Sequence, residues 1–329
     1  MRKLFSFCFI AVLLVIFGCD SGKSKSVEKN QPAVQTQTKI NSLKPFELLI
    51  DWQAEPTYLG VYYAKTIGAY QKLGLDVKVI QSWGANAASS AIAAGKYRIG
   101  TASGGATAIA RSNGAELVSM AVLYHRLPTA VFGLKETGII NPKDLQGKKI
   151  GIYPQSITKN EFEAFANLNG LNLKKMQIVS IGGADIPLIL AGKVDGVLNY
   201  FELSPTILSL ERETYSMLLA DYGVQAYSLN VITSRKAYVE EPVLMQDITN
   251  AIIAGYKEGC KNQTTAVEAF LKEFPEKDKK YVETSWEKVC NFIGGDYGTQ
   301  TVEGWQQTID TYKSTGIITK PISPKDVMP

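Results

Sequence analysis

The chain has 329 residues, 45% of them hydrophobic and 20% charged, and a formal net charge of +4 that includes Arg2 and Lys3. That length and apolar share can fill one large or two medium cores, and a body this close to neutral is a poor match for nucleic acid. With a single histidine, His125, and four cysteines, none in a CxxC pair, a His-rich zinc centre is excluded, and His125 cannot by itself build a Cys–His dyad, which weakens most catalytic classes.

Residues 1–18 begin with a basic end and continue as an apolar run closed by Gly18. The run is shorter than the roughly 20 residues a spanning helix needs, so it is expected to be a cleaved export signal. Its last residues, Ile16-Phe17-Gly18-Cys19, resemble the bacterial lipobox. The expectation is therefore a lipoprotein signal peptide over 1–18, acylation of Cys19, and an extracytoplasmic lipid anchor in the cell membrane, on a periplasmic or outer face. Residues 19–45 are rich in Ser, Lys, Gln, Thr and Asn and lack aromatics, the composition of a flexible tether.

The body opens on a strand at 46–50, a helix at 60–73 and an alternating strand at 75–80. Helices at 87–94 and 106–113 then alternate with strands at 97–100, 117–123 and 129–134. From Lys149 the cycle restarts, with strands at 149–153, 177–181, 196–200, 216–219 and 228–233 and helices between them. Helices at 242–261, 265–274, 278–292 and 301–313 close the chain. Such alternation predicts an α/β protein with mostly parallel sheets flanked by helices. Residues 46–130 and 235–329 are expected to share one lobe and 131–234 to form the second, joined where the chain crosses twice. Cys260 and Cys290 form a disulfide or remain two free thiols; the exported compartment permits the bond.

Asp51-Trp52 follows the first strand. Pro56, the Gly60-Val61-Tyr62-Tyr63-Ala64 helix and Gly74-Leu75-Asp76-Val77 come next. Further along stand Ala94-Gly95-Lys96, Asp144-Leu145-Gln146-Gly147-Lys148, Ala191-Gly192-Lys193-Val194-Asp195 and Gly316-Ile317-Ile318. Together they resemble the substrate-binding family related to thiamine-pyrimidine synthases, and the resemblance covers essentially the whole body. It implies a two-lobed periplasmic-binding-protein fold of type II, each lobe a mixed, mostly parallel sheet flanked by helices, joined by a two-crossing hinge. It also implies the solute-binding component of an ABC importer, with a permease and an ATPase as partners. That protein would be a monomer without cofactor or metal. No GxxxxGK[ST] loop occurs in the chain, so the ATPase would be a separate subunit.

In open α/β sheets ligands lie at the carboxyl ends of strands. This places Asp51, Trp52 and Tyr58 at the edge of one lobe, with aromatic faces suited to a flat ring. Tyr200 and Glu202 end a strand of the other lobe, at the place where pyrimidine-binding relatives contact the ring and its amino group. A carboxylate there accepts from N–H donors and repels a sulfonate. Ser103 with Gly104 and Ser156 with Thr158 each begin a helix, where backbone N–H groups can grip a ligand or the side chains simply cap. The expected ligand is a small aromatic heterocycle, a thiamine-precursor pyrimidine of the formyl-aminopyrimidine or hydroxymethylpyrimidine type. Alternatives are riboflavin, an alkanesulfonate, nitrate or taurine. Tyr58 stands where pyrimidine-related members often carry histidine, which counts against a pyrimidine, and the cysteine-rich segment of the synthases is absent, so a non-enzyme is expected over a pyrimidine-synthase-like enzyme.

Overall fold

The computed structural model describes residues 42–329 apart from 155 and 183, so the lipobox, Cys19 and most of the expected tether lie outside the described residues. The first lobe begins with β1 (Lys44–Ile50), α1 (Leu59–Thr66), β2 (Leu75–Gln81), α2 (Ala85–Ala93), β3 (Ile99–Ser103), α3 (Gly104–Ser112) and β4 (Leu117–Val122). Lys44 and Pro45, assigned to the tether by composition, already pair with Leu75 and Asp76, because the β1–β2 ladder extends past the apolar run.

The second lobe follows as β5 (Thr129–Leu134), β6 (Lys149–Ile152), α4 (Ile157–Leu168), β7 (Gln177–Ser180), α5 (Asp185–Leu190), β8 (Gly196–Tyr200), α6 (Ser204–Ser209) and β9 (Thr214–Leu218). The chain then runs through β10 (Leu229–Ser234), α7 (Arg235–Glu240), α8 (Pro242–Lys261), α9 (Gln263–Glu273), α10 (Lys279–Ile293), α11 (Val302–Ser314) and α12 (Pro324–Val327). No helix among the described residues is long and apolar enough to cross a membrane.

The two sheets share one plan. Their strand orders are β2-β1-β3-β10-β4 and β7-β6-β8-β5-β9. In each, one strand runs against the other four: β10 pairs antiparallel with β3 and β4, and β5 pairs antiparallel with β8 and β9. The reversed strand is in both cases the one that enters directly from the other lobe. It starts at the edge where its neighbours end, so the carboxyl edges of the two sheets must face each other.

β10 therefore belongs to the first lobe, not to the second lobe as the 131–234 division has it, because its whole ladder lies between β3 and β4. β4, β5 and β10 are buried at every position, which is why apolar residues fall on both faces of each and small polar ones such as Ser119 and Asn230 are enclosed with them. The two crossings are tied together, Leu123 N–H donating to Leu229 O at 2.8 Å and Ser228 N–H to Tyr124 O at 2.9 Å.

The C-terminal helices do not all cover one lobe. α8, α9 and α10 complete the first core: Met245, Ile252, Tyr256, Phe270, Trp286 and Val289 are buried with residues of β1 and α1. α11 instead buries Trp305, Ile309 and Tyr312 with Ile150, Phe162 and Phe165 of the second lobe and Ala108 of α3. The last segment thus bridges the lobes. α10 shows how sequence sets its place: Asp278 caps it by accepting from Tyr281 N–H at 2.7 Å, and Gly294, at φ 65°, ends it in the left-handed region. Between these limits Tyr281, Val282, Ser285, Trp286, Val289, Cys290 and Ile293 form a buried stripe at helical spacing. Cys290 bonds to Cys260 of α8, with 5.4 Å between their Cα atoms.

Candidate functional site

Where β1 ends, the chain turns sharply enough to bury Asp51 at 6% exposure. Its carboxylate accepts from the Tyr58 hydroxyl at 3.0 Å and from the Thr101 hydroxyl of β3, whose oxygen in turn takes Asp51 N–H at 3.1 Å. β3 is the parallel neighbour of β1, so Thr101 meets Asp51 because both stand at the same sheet edge. Trp52, the next residue, turns outward to 38% exposure. The same loop continues into Thr57, whose carbonyl is held by the Tyr256 hydroxyl of α8 at 2.7 Å.

The second lobe contributes the end of β8. Asn199 is fixed by Asp185 at 3.0 Å and Ser204 at 2.8 Å, which orients the loop that follows. Tyr200 meets the Ser228 hydroxyl of the return crossing at 3.4 Å. Glu202 is fully buried. Its Oε1 accepts from Thr57 at 3.1 Å and from Tyr124 at 3.1 Å, both outside its own lobe, and its backbone carbonyl accepts from Ser285 of α10 at 2.5 Å. Its Oε2 is buried with no hydrogen-bond partner. Behind the seam, Glu161 of α4 accepts from Thr129 at 2.5 Å and from Tyr312 of α11 at 3.0 Å.

Burial sets the electrostatics. It raises the carboxyls of Glu202 and Glu161 to about 7 against the opposing pull of their hydroxyl donors, and it raises Asp51 in the same direction. Tyr200 is held far above the usual phenol range by burial first, then by the negative charges of Glu161 and Asp51 and, more weakly, Glu202. It is the side chain on which all three carboxylates act. Lys288 of α10 donates from Nζ to Thr206 Oγ1 at 2.8 Å, and its ammonium is lowered by burial and partly restored by Glu202. The seam is thus a closed, acceptor-rich place with no oxyanion-gripping pair of cations described in it.

Of the residues singled out by sequence, the structure brings together Asp51, Tyr58, Tyr200 and Glu202. Tyr58 is buried at 3% and spends its hydroxyl on Asp51. Trp52 stands at the rim. Ser103 is the N-cap of α3, accepting from Ala106 N–H at 3.2 Å, and Gly104 packs so tightly that a Cβ would lie 2.5 Å from Tyr227 O. Ser156 caps α4 by accepting from Thr158 N–H at 3.1 Å. These four have capping and packing roles. His125 meets Thr299 O at 2.8 Å and the Tyr227 ring edge-on, so its ring is engaged within the protein.

Sequence reasoning missed Thr57, Thr101, Tyr124 and Glu161. Thr101 and Tyr124 carry no signal of their own. Glu161 does: it falls at the spacing of Ile157, Ala164 and Phe165, a carboxylate inside the apolar stripe of α4.

Two helix-flanked mixed sheets, facing across a polar seam and joined by a paired crossing, make this chain a two-lobed periplasmic-binding-protein fold. A family model described as NMT1/THI5 like matches residues 55–266, and the chain belongs to that family. It is similar to the formylaminopyrimidine-binding protein of Halalkalibacterium halodurans, 23% identical over 333 residues that cover 98% of this chain and 97% of the relative. It is also similar to the 4-amino-5-hydroxymethyl-2-methylpyrimidine phosphate synthase THI13 of Saccharomyces cerevisiae, at 24% identity over 80% of this chain and 69% of the enzyme. The alkanesulfonate-binding protein SsuA from Xanthomonas axonopodis pv. citri, solved with MOPS, shares the fold at a TM-score of 0.68 and 14% identity, covering 86% of this chain and 98% of that one.

Proposed function

We propose that this chain is the lipid-anchored solute-binding component of an ABC importer and that it captures an aminopyrimidine of the thiamine-precursor type between its lobes. The observation that carries this reading is Oε2 of Glu202, a fully buried carboxylate oxygen without a hydrogen-bond partner at the lobe seam. Leaving such an atom unmet costs on the order of 1–3 kcal/mol or more, so its retention argues for a donor that arrives with the ligand. An exocyclic amino group supplies one. A sulfonate offers acceptors alone and would face the unmet acceptor of Glu202, which disfavours it.

The formylaminopyrimidine-binding relative, matched along nearly its whole length, supports the same ligand class. Against catalysis, the cysteines of the described body, Cys260 and Cys290, are bonded to each other, and His125 is engaged with a backbone carbonyl. Closure around the ligand would give the importer a distinct state to recognise, and the body would act as a monomer held near the membrane by Cys19.

The test is mass spectrometry of the small molecule released from folded protein purified from its native host. An aminopyrimidine recovered unchanged supports the reading. A flavin or a sulfonate would replace the ligand class, and turnover of the bound pyrimidine would make the chain an enzyme.

A further inference from the structure

We propose that Thr57 and Tyr124 set the specificity of the site as positioning residues: by filling Oε1 of Glu202 from the opposite side of the seam, they leave Oε2 as the single atom that recognises an amino group on the bound heterocycle. This inference rests on the aminopyrimidine reading above.

The geometry has three parts. Both hydroxyls donate to the same oxygen, at 3.1 Å each, so Oε1 has its lone pairs occupied and Oε2 has none. Neither donor belongs to the strand or helix that carries Glu202. Thr57 stands 145 positions and Tyr124 78 positions away in sequence, so the orientation of the carboxylate is set by segments remote from it in the chain. The backbones at both ends are fixed as well, since Tyr256 of α8 holds Thr57 O at 2.7 Å and Ser285 of α10 holds Glu202 O. The Cys260–Cys290 bond joins those two helices. Thr57 and Glu202 are thus mounted on one brace.

After the residue's own backbone N–H, the two hydroxyl donors also bear on which chemical form of Glu202 meets the ligand. Donation to a carboxylate favours its ionised form, opposing the burial that favours the neutral acid. With either hydroxyl removed, the balance moves toward the protonated acid, Oε1 loses a partner, and the carboxyl is freed to turn. Each change weakens acceptance of an N–H bond at Oε2. Contacts elsewhere on the ring are untouched.

The experiment compares two probes by titration calorimetry: 4-amino-5-hydroxymethyl-2-methylpyrimidine and the same molecule lacking its 4-amino group. The wild-type body is expected to prefer the amino probe by on the order of 10–100-fold, the range that one hydrogen bond to a charged group supplies. Tyr124→Phe and Thr57→Val are each expected to reduce that preference by about tenfold, the size of one hydrogen bond to a charged group. Affinity for the des-amino probe should stay within about twofold, and Thr57→Ser, which keeps the hydroxyl, should restore the preference. Equal weakening of both probes by the variants would reduce the two residues to packing and overturn the inference. Equal binding of both probes by wild type would do the same while leaving a pyrimidine ligand standing, whereas binding of neither would remove the pyrimidine reading and this inference together.

Discussion

Tyr312 of α11 donates its hydroxyl to Oε1 of Glu161 on α4 at 3.0 Å, and the bond is buried on both sides. Through it, a helix close to the C-terminus completes the polar interior of the second lobe. Glu161 pays for that position in protonation: burial lifts its carboxyl to about 7, with Thr129 and Tyr312 only partly countering the rise. A carboxyl whose folded value lies above its unfolded one binds an extra proton in the folded state. Its stabilising contribution is complete below about pH 4.5, falls as pH rises, and is gone once pH passes about 7. Relative to a Glu161→Gln variant, the wild-type body is therefore expected to lose on the order of 3 kcal/mol between pH 4.5 and pH 8. Urea unfolding of both proteins across that range measures the difference, and parallel pH profiles would show that Glu161 does not titrate as described.

Much of the scaffold could be read from sequence because it depends on local period and punctuation. All ten strands among the described residues were expected near where they lie, since runs such as Leu117–Val122 and Thr129–Leu134 are dominated by apolar residues. What the pattern could not carry was which sheet a strand joins. β10 reads the same in either lobe, and only pairing with β3 and β4 decides it. The site divides in the same manner. Asp51 and Glu202 lie just beyond strand ends, Tyr200 closes a strand and Tyr58 stands in the loop after one, so position marks them. Tyr124 and Thr57 gain their meaning from a carboxylate far along the chain. Ser103 and Ser156 are ambiguous in principle, because a helix N-terminus looks alike whether it binds a ligand or only its own side chain.

The disulfide between Cys260 and Cys290 closes a separation of 30 residues and pins α8 to α10. Restricting the unfolded chain by a loop of that size is worth about 3 to 4 kcal/mol on the chain-entropy account. The double variant Cys260→Ser/Cys290→Ser should lower unfolding free energy by about that much, with its denaturant midpoint shifted and its slope slightly raised. Since both helices also hold the backbones of Thr57 and Glu202, ligand release should quicken in the same variant. An unchanged midpoint in non-reducing buffer would show that the bond does not form in the protein.

Gly104 offers a separation of packing from binding. A Cβ there would stand 2.5 Å from Tyr227 O and 2.8 Å from its carbonyl carbon, both backbone atoms of the return crossing that cannot swing aside. Gly104 N–H also donates to Ser228 O at 2.7 Å, so the two segments are held in register. Gly104→Ala is expected to destabilise the body by about 1–3 kcal/mol through overpacking. Thermal unfolding of the ligand-free protein checks this without reference to any ligand. A variant as stable as wild type would mean that the crossing yields easily, and that glycine there serves some other end.

Trp52 and Trp83 leave the same edge of the first sheet by equivalent routes. Ile50 and Gln81 are register partners at the ends of β1 and β2, and each tryptophan follows its partner by two residues. The loops are stitched together, Ala54 N–H donating to the Gln81 side chain at 3.0 Å and the Gln53 amide to Ser82 O at 3.3 Å. Their surroundings differ, however: Trp52 adjoins buried Asp51 at 38% exposure, while Trp83 projects to 81%. If the ligand ring stacks at the rim of the seam, Trp52 is the residue that covers it. Aromatic stacking adds about 0.5–1.5 kcal/mol beyond area burial, so Trp52→Ala should weaken aminopyrimidine binding by about 3- to 10-fold. Trp83→Ala should leave the dissociation constant unchanged. Calorimetric titration of the two variants side by side decides the matter, and an equal loss in both would move the ring outward, onto the face the two tryptophans share.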